Sequence, residues 1–400
     1  MNEQPKKSFI KRFWLIIIFV SIIIAGLAYY FIWYKTNNMA KTTENITNGE
    51  KLVISEEVLN NKFGWLGGGA DDTGDGIIEN GGAWVRPHPG AFVWDMMQKS
   101  NNGEINFSNA DEMVSNYQKN NLGILATIWP FADWDQKNLA NALDCKVADN
   151  DEFLPKNDKK DRGSYLPQYR CNPSDWESYQ KFVQAIVERY DGDGVSDMPG
   201  LKIPVKYWEV MNEPDLQYKS NKPMINETSS LNFYKLGPTE YGELLKKTYS
   251  AIKQSDVESK VLIAGAAGAD QFLDFYSTLF TSMSDASNYF DIGNIHCISN
   301  DQQTHDFNVS AYKKMLENAG IITKPIWVTE AEAMNGNSAE ENYQSTANST
   351  SGAISAGAER IFFTRYTFDD FRKDMSDKTE SGSYPSAEKY QAIIKQNNKN

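Results

Sequence analysis

The chain has 400 residues, and its 40 Lys plus Arg against 53 Asp plus Glu give a formal charge of −13, which excludes a nucleic-acid backbone as partner. Only three histidines are present, at 88, 296 and 305, and no HExxH or CxxC pattern occurs, so the ligand sets of zinc hydrolases are excluded as well.

At the start of the chain, Lys6, Lys7, Lys11 and Arg12 precede an uncharged apolar run from Phe13 to Tyr34, long enough to cross a bilayer. The basic flank places residues 1–12 in the cytoplasm and everything after the run outside. The competing reading is a cleaved signal peptide. Against it, the small residues of AGLA lead into the bulky YYFIWY, an interfacial aromatic belt rather than a cleavage region. Residues 35–59 then read as a polar linker. The expectation is a single-pass membrane protein with one domain, residues 60–400, on the extracellular side.

Eight candidate strands follow in order. They are FGWLGGG near 63, AWVRPHP near 83, LGILATIWPF near 122, IPVKYWEVMNEP near 203, KVLIAGAAGA near 260, FDIGNIHCIS near 290, PIWVTEAEA near 325 and RIFFTRYT near 360. Amphipathic helical patterns such as SNADEMVSNYQKN, PSDWESYQKFVQAIVERY, TEYGELLKKTYSAIKQ and AYKKMLENAG lie between them. Cap signals at Ser174-Asp175 and Pro238-Thr239 open two of these. The alternation predicts an α/β fold, a (β/α)8 TIM barrel behind the single transmembrane helix. The first βα unit offers only a short helix.

Two of the strands end in glutamate. VKYWEVMNEPD carries Glu213 after Asn212, and KPIWVTEAEA carries Glu330. A parallel barrel gathers its strand ends at one face and so brings the two carboxyl groups together. Such a pair suits glycoside hydrolysis, in which one carboxylic acid protonates the leaving oxygen while a carboxylate faces the anomeric carbon. Glu209 and Glu332 share strand parity with the pair and remain alternatives.

On these motifs the chain resembles glycoside hydrolase clan A, the retaining (β/α)8-barrel glycosidases, and WEVMNEPD and WVTE look closest to families 39 and 5. The resemblance covers roughly residues 60 to 396. It implies Glu213 as acid/base and Glu330 as nucleophile, cleaving β-glycosidic bonds of a polysaccharide or oligosaccharide. Arg86, in WVRP, matches the strand 2 arginine that supports the nucleophile, and a guanidinium there would keep Glu330 ionised. By the same resemblance Asn212 holds a sugar hydroxyl, and His296 matches a histidine after strand 6. The family's usual His-x-Tyr reads His-Cys-Ile here, so either Tyr366 takes over the missing tyrosine's role or the site departs from the family. Trp94, Trp129 and Trp134, at or beyond strand ends, are sugar platforms or core packing.

Asp191, Asp193 and Asp197 in DGDGVSD read either as a structural calcium loop or as a helix C-terminus followed by a polar turn, and DDTGDG at 71–76 is a poorer version. Cys145 and Cys171 bracket a long polar insertion and would pair as a disulfide outside the cytoplasm, whereas Cys297 reads as a buried thiol. No cofactor is expected, and the chain should be a monomer. Beside the glycosidase reading stand a carbohydrate-binding pseudoenzyme, favoured by the altered HCI motif, and a structural envelope protein on the same barrel.

Overall fold

Strands buried on both faces must sit between a packed interior and a cover of helices, which is the environment of a parallel sheet. Every residue of β3 (Gly123–Ile128) and of β7 (Ile326–Glu332) is buried. In the computed structural model, which describes residues 51–69, 71–155, 165–217, 231–298, 305–334, 336–368 and 386–398, these two join β1 (Phe63–Gly67), β2 (Trp84–Pro87), β4 (Tyr207–Val210), β5 (Lys260–Ile263), β6 (Gly293–Ile298) and β8 (Ala358–Phe363). All pairings are parallel, in the order β5-β4-β3-β2-β1-β8-β7-β6. Parallel bridges Leu262 to Ile292 and Ala266 to Ile295 join the two ends and close the barrel. All eight expected strands are present, with a short first helix (α1, Asp75–Glu79) after β1.

The major helices begin and end where their caps dictate. Asp175 accepts a hydrogen bond from the Ser178 amide and opens α2 (Trp176–Tyr190), while Pro238 occupies the first turn of α3 (Pro238–Ser255), where its missing N–H costs nothing. After α2, Gly192 and Gly194 take positive φ and turn the chain. The carboxylates of that turn accept from its own backbone. Asp197 takes the amides of Gly192 and Gly194, Asp191 that of Asp193, and Asp193 that of Val195. The helix-stop reading therefore accounts for the loop without an ion, although one oxygen from each aspartate lies within 4.8 Å of the others.

Residues 52–60 depart from the expected linker. Ser55 caps a short helix from Glu56 to Asn60, Leu52 N–H bonds the Gly192 carbonyl, and Ile54 and Val58 are buried against Trp84, Leu125, Trp327 and Phe362. The sequence hid this because only two of nine residues carry the apolar contact. The apolar run Phe13–Tyr34 lies outside the described residues, and no helix among the described residues is long and apolar enough to cross a membrane.

Alternate residues of the strands stack in layers inside the barrel. The lower layer is aromatic: Trp84 meets Tyr207 edge-on with centroids 5.1 Å apart, and Tyr207 stacks on Trp327 at 5.0 Å. Two residues further along the same strands stand Arg86, Glu209 and Thr329, with Thr127 above Leu125 and Asn294 above Ile292. The barrel thus passes from apolar to polar within one strand repeat.

The insertion after β3 is tied down by three bonds of different kinds. Cys145 and Cys171 form a disulfide, as expected. Arg170 holds both carboxylate oxygens of the fully buried Asp151, at 2.8 and 3.1 Å, and the Asn232 amide bonds the same carboxylate. This staple joins the insertion to the segment preceding α3. Asp151→Ala would strand a buried guanidinium, so urea unfolding should show a loss of about 3–5 kcal/mol. A loss under about 1 kcal/mol, typical of an exposed ion pair, would contradict the staple.

Candidate active site

Arg86 is completely buried and divides its donors among three acceptors. Nε donates to Glu209 Oε2 at 2.8 Å, Nη1 to Glu330 Oε1 at 2.8 Å and Nη2 to Asn212 Oδ1 at 2.6 Å. Glu209 is the fixed base of this layer. It also accepts from Thr127 Oγ1 at 2.6 Å and Asn294 Nδ2 at 2.6 Å, and none of its surface reaches solvent.

Two backbone irregularities aim the other carboxyl groups. Beyond β4 the chain adopts positive φ at Met211 and Glu213, 69° and 41°, conformations that residues with a Cβ rarely take and that tertiary contacts must enforce. In β7 the register slips by one residue: Ile295 faces Val328, yet His296 faces Glu330. This bulge places Thr329 and Glu330, consecutive residues that a regular strand would send to opposite faces, into the same interior.

One oxygen of Glu213, one of Glu330 and a ring nitrogen of His296 all lie within 4.8 Å of one another. His296 Nδ1 stands 2.8 Å from Glu213 Oε1 and Nε2 stands 2.8 Å from Thr329 Oγ1. The first is a hydrogen-bond separation.

Burial pushes the Glu213 carboxyl up to about 7, with Arg86 pulling down and Glu209 pushing up. Burial, with the neighbouring Glu213, also raises Glu330 above the ordinary carboxylate range, against the pull of Arg86. Burial thus outweighs the lowering that Arg86 was expected to impose on this carboxyl. Direct contact separates the two glutamates: Glu330 receives a guanidinium donor at 2.8 Å and Glu213 receives none, so Glu330 is the more readily ionised. Burial lowers His296 to about 4 and leaves the imidazole neutral at neutral pH.

Glu213, Glu330 and Asn212 line a cavity of about 550 Å³. Much of the remaining wall is apolar, from Phe153, Leu216, Phe233, Phe272 and Ile298, with the Glu332–Arg365 ion pair, 2.7 Å, among its polar members. His88 also lines it, its ring edge-on to Phe153 at 5.5 Å and Phe233 at 6.0 Å.

The structure gathers Arg86, Asn212, Glu213, His296 and Glu330 as the motifs implied, but it removes the other expected residues. Trp94 and Trp129 are fully buried and Trp134 packs on Trp94 at 4.9 Å; their ring nitrogens donate to Gln98 Oε1, the Pro89 carbonyl and the Gln98 carbonyl respectively. They are packing, and Phe153 and Phe233 hold the wall positions. Tyr366 does not replace the missing tyrosine: its hydroxyl donates to the Leu66 carbonyl at 3.0 Å and its ring packs on Trp65. Glu332 pairs with Arg365 and Thr364 at the rim, and Glu209 sits below the reacting groups, so neither displaces the Glu213–Glu330 pair. Sequence reading missed Glu209, Thr127, Asn294 and Thr329 as a connected layer, although each follows a lower-layer residue by two, half-buried Tyr207 in the case of Glu209.

No protein-family model matches the sequence, and no curated protein does either. Solved structures do share the fold. A glucosidase from Croceicoccus marinus superposes with a TM-score of 0.53 at 16% identity, over 87% of this chain and 69% of that one. A family 39 glycoside hydrolase from Bacteroides cellulosilyticus WH2 gives 0.51 at 15% identity, and the chain, 85% of which is aligned, spans 64% of that protein's length. A psychrophilic family 10 endo-β-1,4-xylanase gives 0.51 at 12% identity, over 85% of this chain and 99% of that one. The chain is therefore similar in fold to glycoside hydrolases, family 39 among them, as the strand-end motifs implied.

Proposed function

We propose that the protein is a retaining glycoside hydrolase, or a transglycosidase, acting on β-linked saccharides. The observation that carries this reading is the pair of buried carboxyl groups at the cavity, Glu213 and Glu330, with oxygens within 4.8 Å. Two-step retention uses carboxyl groups about 5–5.5 Å apart, whereas inversion leaves room for a water at about 6.5–9.5 Å.

In the proposed reaction Glu213 gives its proton to the glycosidic oxygen while Glu330 attacks the anomeric carbon. The C–O bond to the leaving group breaks and an ester to Glu330 forms. An incoming water, or a sugar hydroxyl in transglycosylation, then gives its proton to Glu213 as its oxygen displaces Glu330. Arg86 orients Glu330 and, by taking the Asn212 carbonyl, turns that amide toward the cavity, where it can donate to a sugar hydroxyl. Carbohydrate as the partner is further supported by the fold shared with sugar-cleaving enzymes.

Glu330→Ala should abolish turnover on aryl glycosides. Glu213→Ala should spare substrates with good leaving groups, and azide should then yield a β-glycosyl azide. A fully active Glu330→Ala variant would refute the assignment. Because Glu213 works as an acid, kcat/KM should fall as pH rises through about 7, where that carboxyl loses its proton. A profile flat from pH 5 to about 9 would count against it.

We also propose that Phe13–Tyr34 anchors the protein, with the barrel outside the cytoplasm. The basic residues before the run and the Cys145–Cys171 bond, which needs an oxidising compartment, support this. Protease added to intact cells should degrade the barrel; protection until lysis would reject the topology.

A further inference from the structure

The bonds that join Glu209 to Glu213 form one continuous chain, and donor counting fixes the direction of each. Glu209, paired with the Arg86 guanidinium, can only accept, so the 2.6 Å contact from Asn294 comes from its amide nitrogen and leaves Oδ1 facing the other way. Thr329 Oγ1 lies 2.8 Å from Asn294 Oδ1 and 3.5 Å from Glu209 Oε1, both acceptors. Its single hydroxyl proton is committed to that side. Toward His296 Nε2, at 2.8 Å, Thr329 can therefore only accept. A neutral imidazole with its proton on Nε2 presents a lone pair at Nδ1, and that lone pair faces Glu213 Oε1 at 2.8 Å. The bond closes only if Glu213 carries the proton.

We propose that Thr329 is a positioning residue that holds His296 as its Nε2–H tautomer and through it holds Glu213 protonated, ready to donate. The ring cannot turn aside to escape the constraint: a Cβ on Gly265 would stand 2.0 Å from His296 Nε2, so the imidazole lies directly on that backbone. The charged and titratable groups around the ring come from several elements. Arg86 and His88 belong to or follow β2, Glu209 belongs to β4, Glu213 and Asp215 follow it, and Glu330 on β7 has Oε1 3.8 Å from Nδ1. Glu330 favours a proton at Nδ1. Thr329 opposes it through the shorter bond.

The catalytic consequence rests on the glycosidase reading. After Glu213 gives up its proton, its carboxylate faces a nitrogen lone pair with no proton between them, which makes it a stronger base for the water of the second step. The Nε2 proton of His296 stays in place throughout.

The tautomer can be measured whether or not any substrate is found. In the full chain, labelled with 15N-histidine and held in detergent, imidazole shifts distinguish the two forms, and three histidines, with His296→Gln as the assignment control, make the signals separable. We expect Nε2–H at His296 and Nδ1–H in Thr329→Val, which frees Nε2. In the same variant the alkaline limb of kcat/KM should move down by about one pH unit, the size of one lost hydrogen bond, and Thr329→Ser should restore both readouts. Nδ1–H in the unsubstituted protein overturns the proposal, as does a Thr329→Val variant with unchanged tautomer and pH limb. If that variant does not fold, the tautomer of the unsubstituted protein decides alone. Absence of turnover with an Nε2–H tautomer would reject the glycosidase reading and leave the relay intact.

Discussion

A single buried cation organises the barrel mouth. Arg86 stands between Glu209 and Glu330, two carboxylates that could not otherwise occupy an interior with so little solvent. With both ionised the cluster holds one excess negative charge. A third carboxylate at Glu213 would add another at short range, so burial and charge both favour keeping a proton there. In the proposed reaction this total never changes. As Glu330 becomes an ester its charge disappears, and Glu213, having lost its proton, takes up the same charge. The site is therefore suited to exchange charge between two glutamates rather than to accumulate it.

That arrangement depends on what lies beneath it. The aromatic layer of Trp84, Tyr207 and Trp327 excludes water from below, and Arg360 caps it with its guanidinium 4.0 Å from the Trp84 ring and 4.6 Å from that of Trp327. In the layer directly above this floor Arg86, Glu209, Thr127, Asn294 and Thr329 all find protein partners, because an unmet donor in such a layer costs more than the bond itself contributes. Thr127, Asn294 and Thr329 are short for this reason: they reach neighbours across the barrel without filling the space the ligand needs.

The fold and the reacting pair were readable because their signals are local. A run such as GILATI declares a strand buried on both faces, and a glutamate at the end of such a run declares its position in a barrel. Glu209 was visible as an inward residue of WEVMNE, but nothing in its neighbourhood reveals that Arg86, 123 residues away, would claim it. The tryptophans misled for a related reason. Their ring size suits both a sugar platform and a core, and only the path of the β3 insertion decides, by bringing Phe153 to the wall and leaving Trp94 and Trp129 behind it. Tyr366 followed the right strand, but its hydroxyl donates to the Leu66 carbonyl.

The slipped register of β7 gives one strand two reading frames. Below the slip, Trp327 and Thr329 face inward, and they touch the aromatic floor and the proton relay. Above it, Glu330 and Glu332 face inward and line the cavity. The scaffold and the reactive surface are thus written in different frames of the same seven residues. Substitution at 332 leaves the interior stacking set by 327 untouched, whereas removal of Thr329 at the slip would merge the frames into one alternation with Trp327, Glu330 and Glu332 inward and take the relay hydroxyl away.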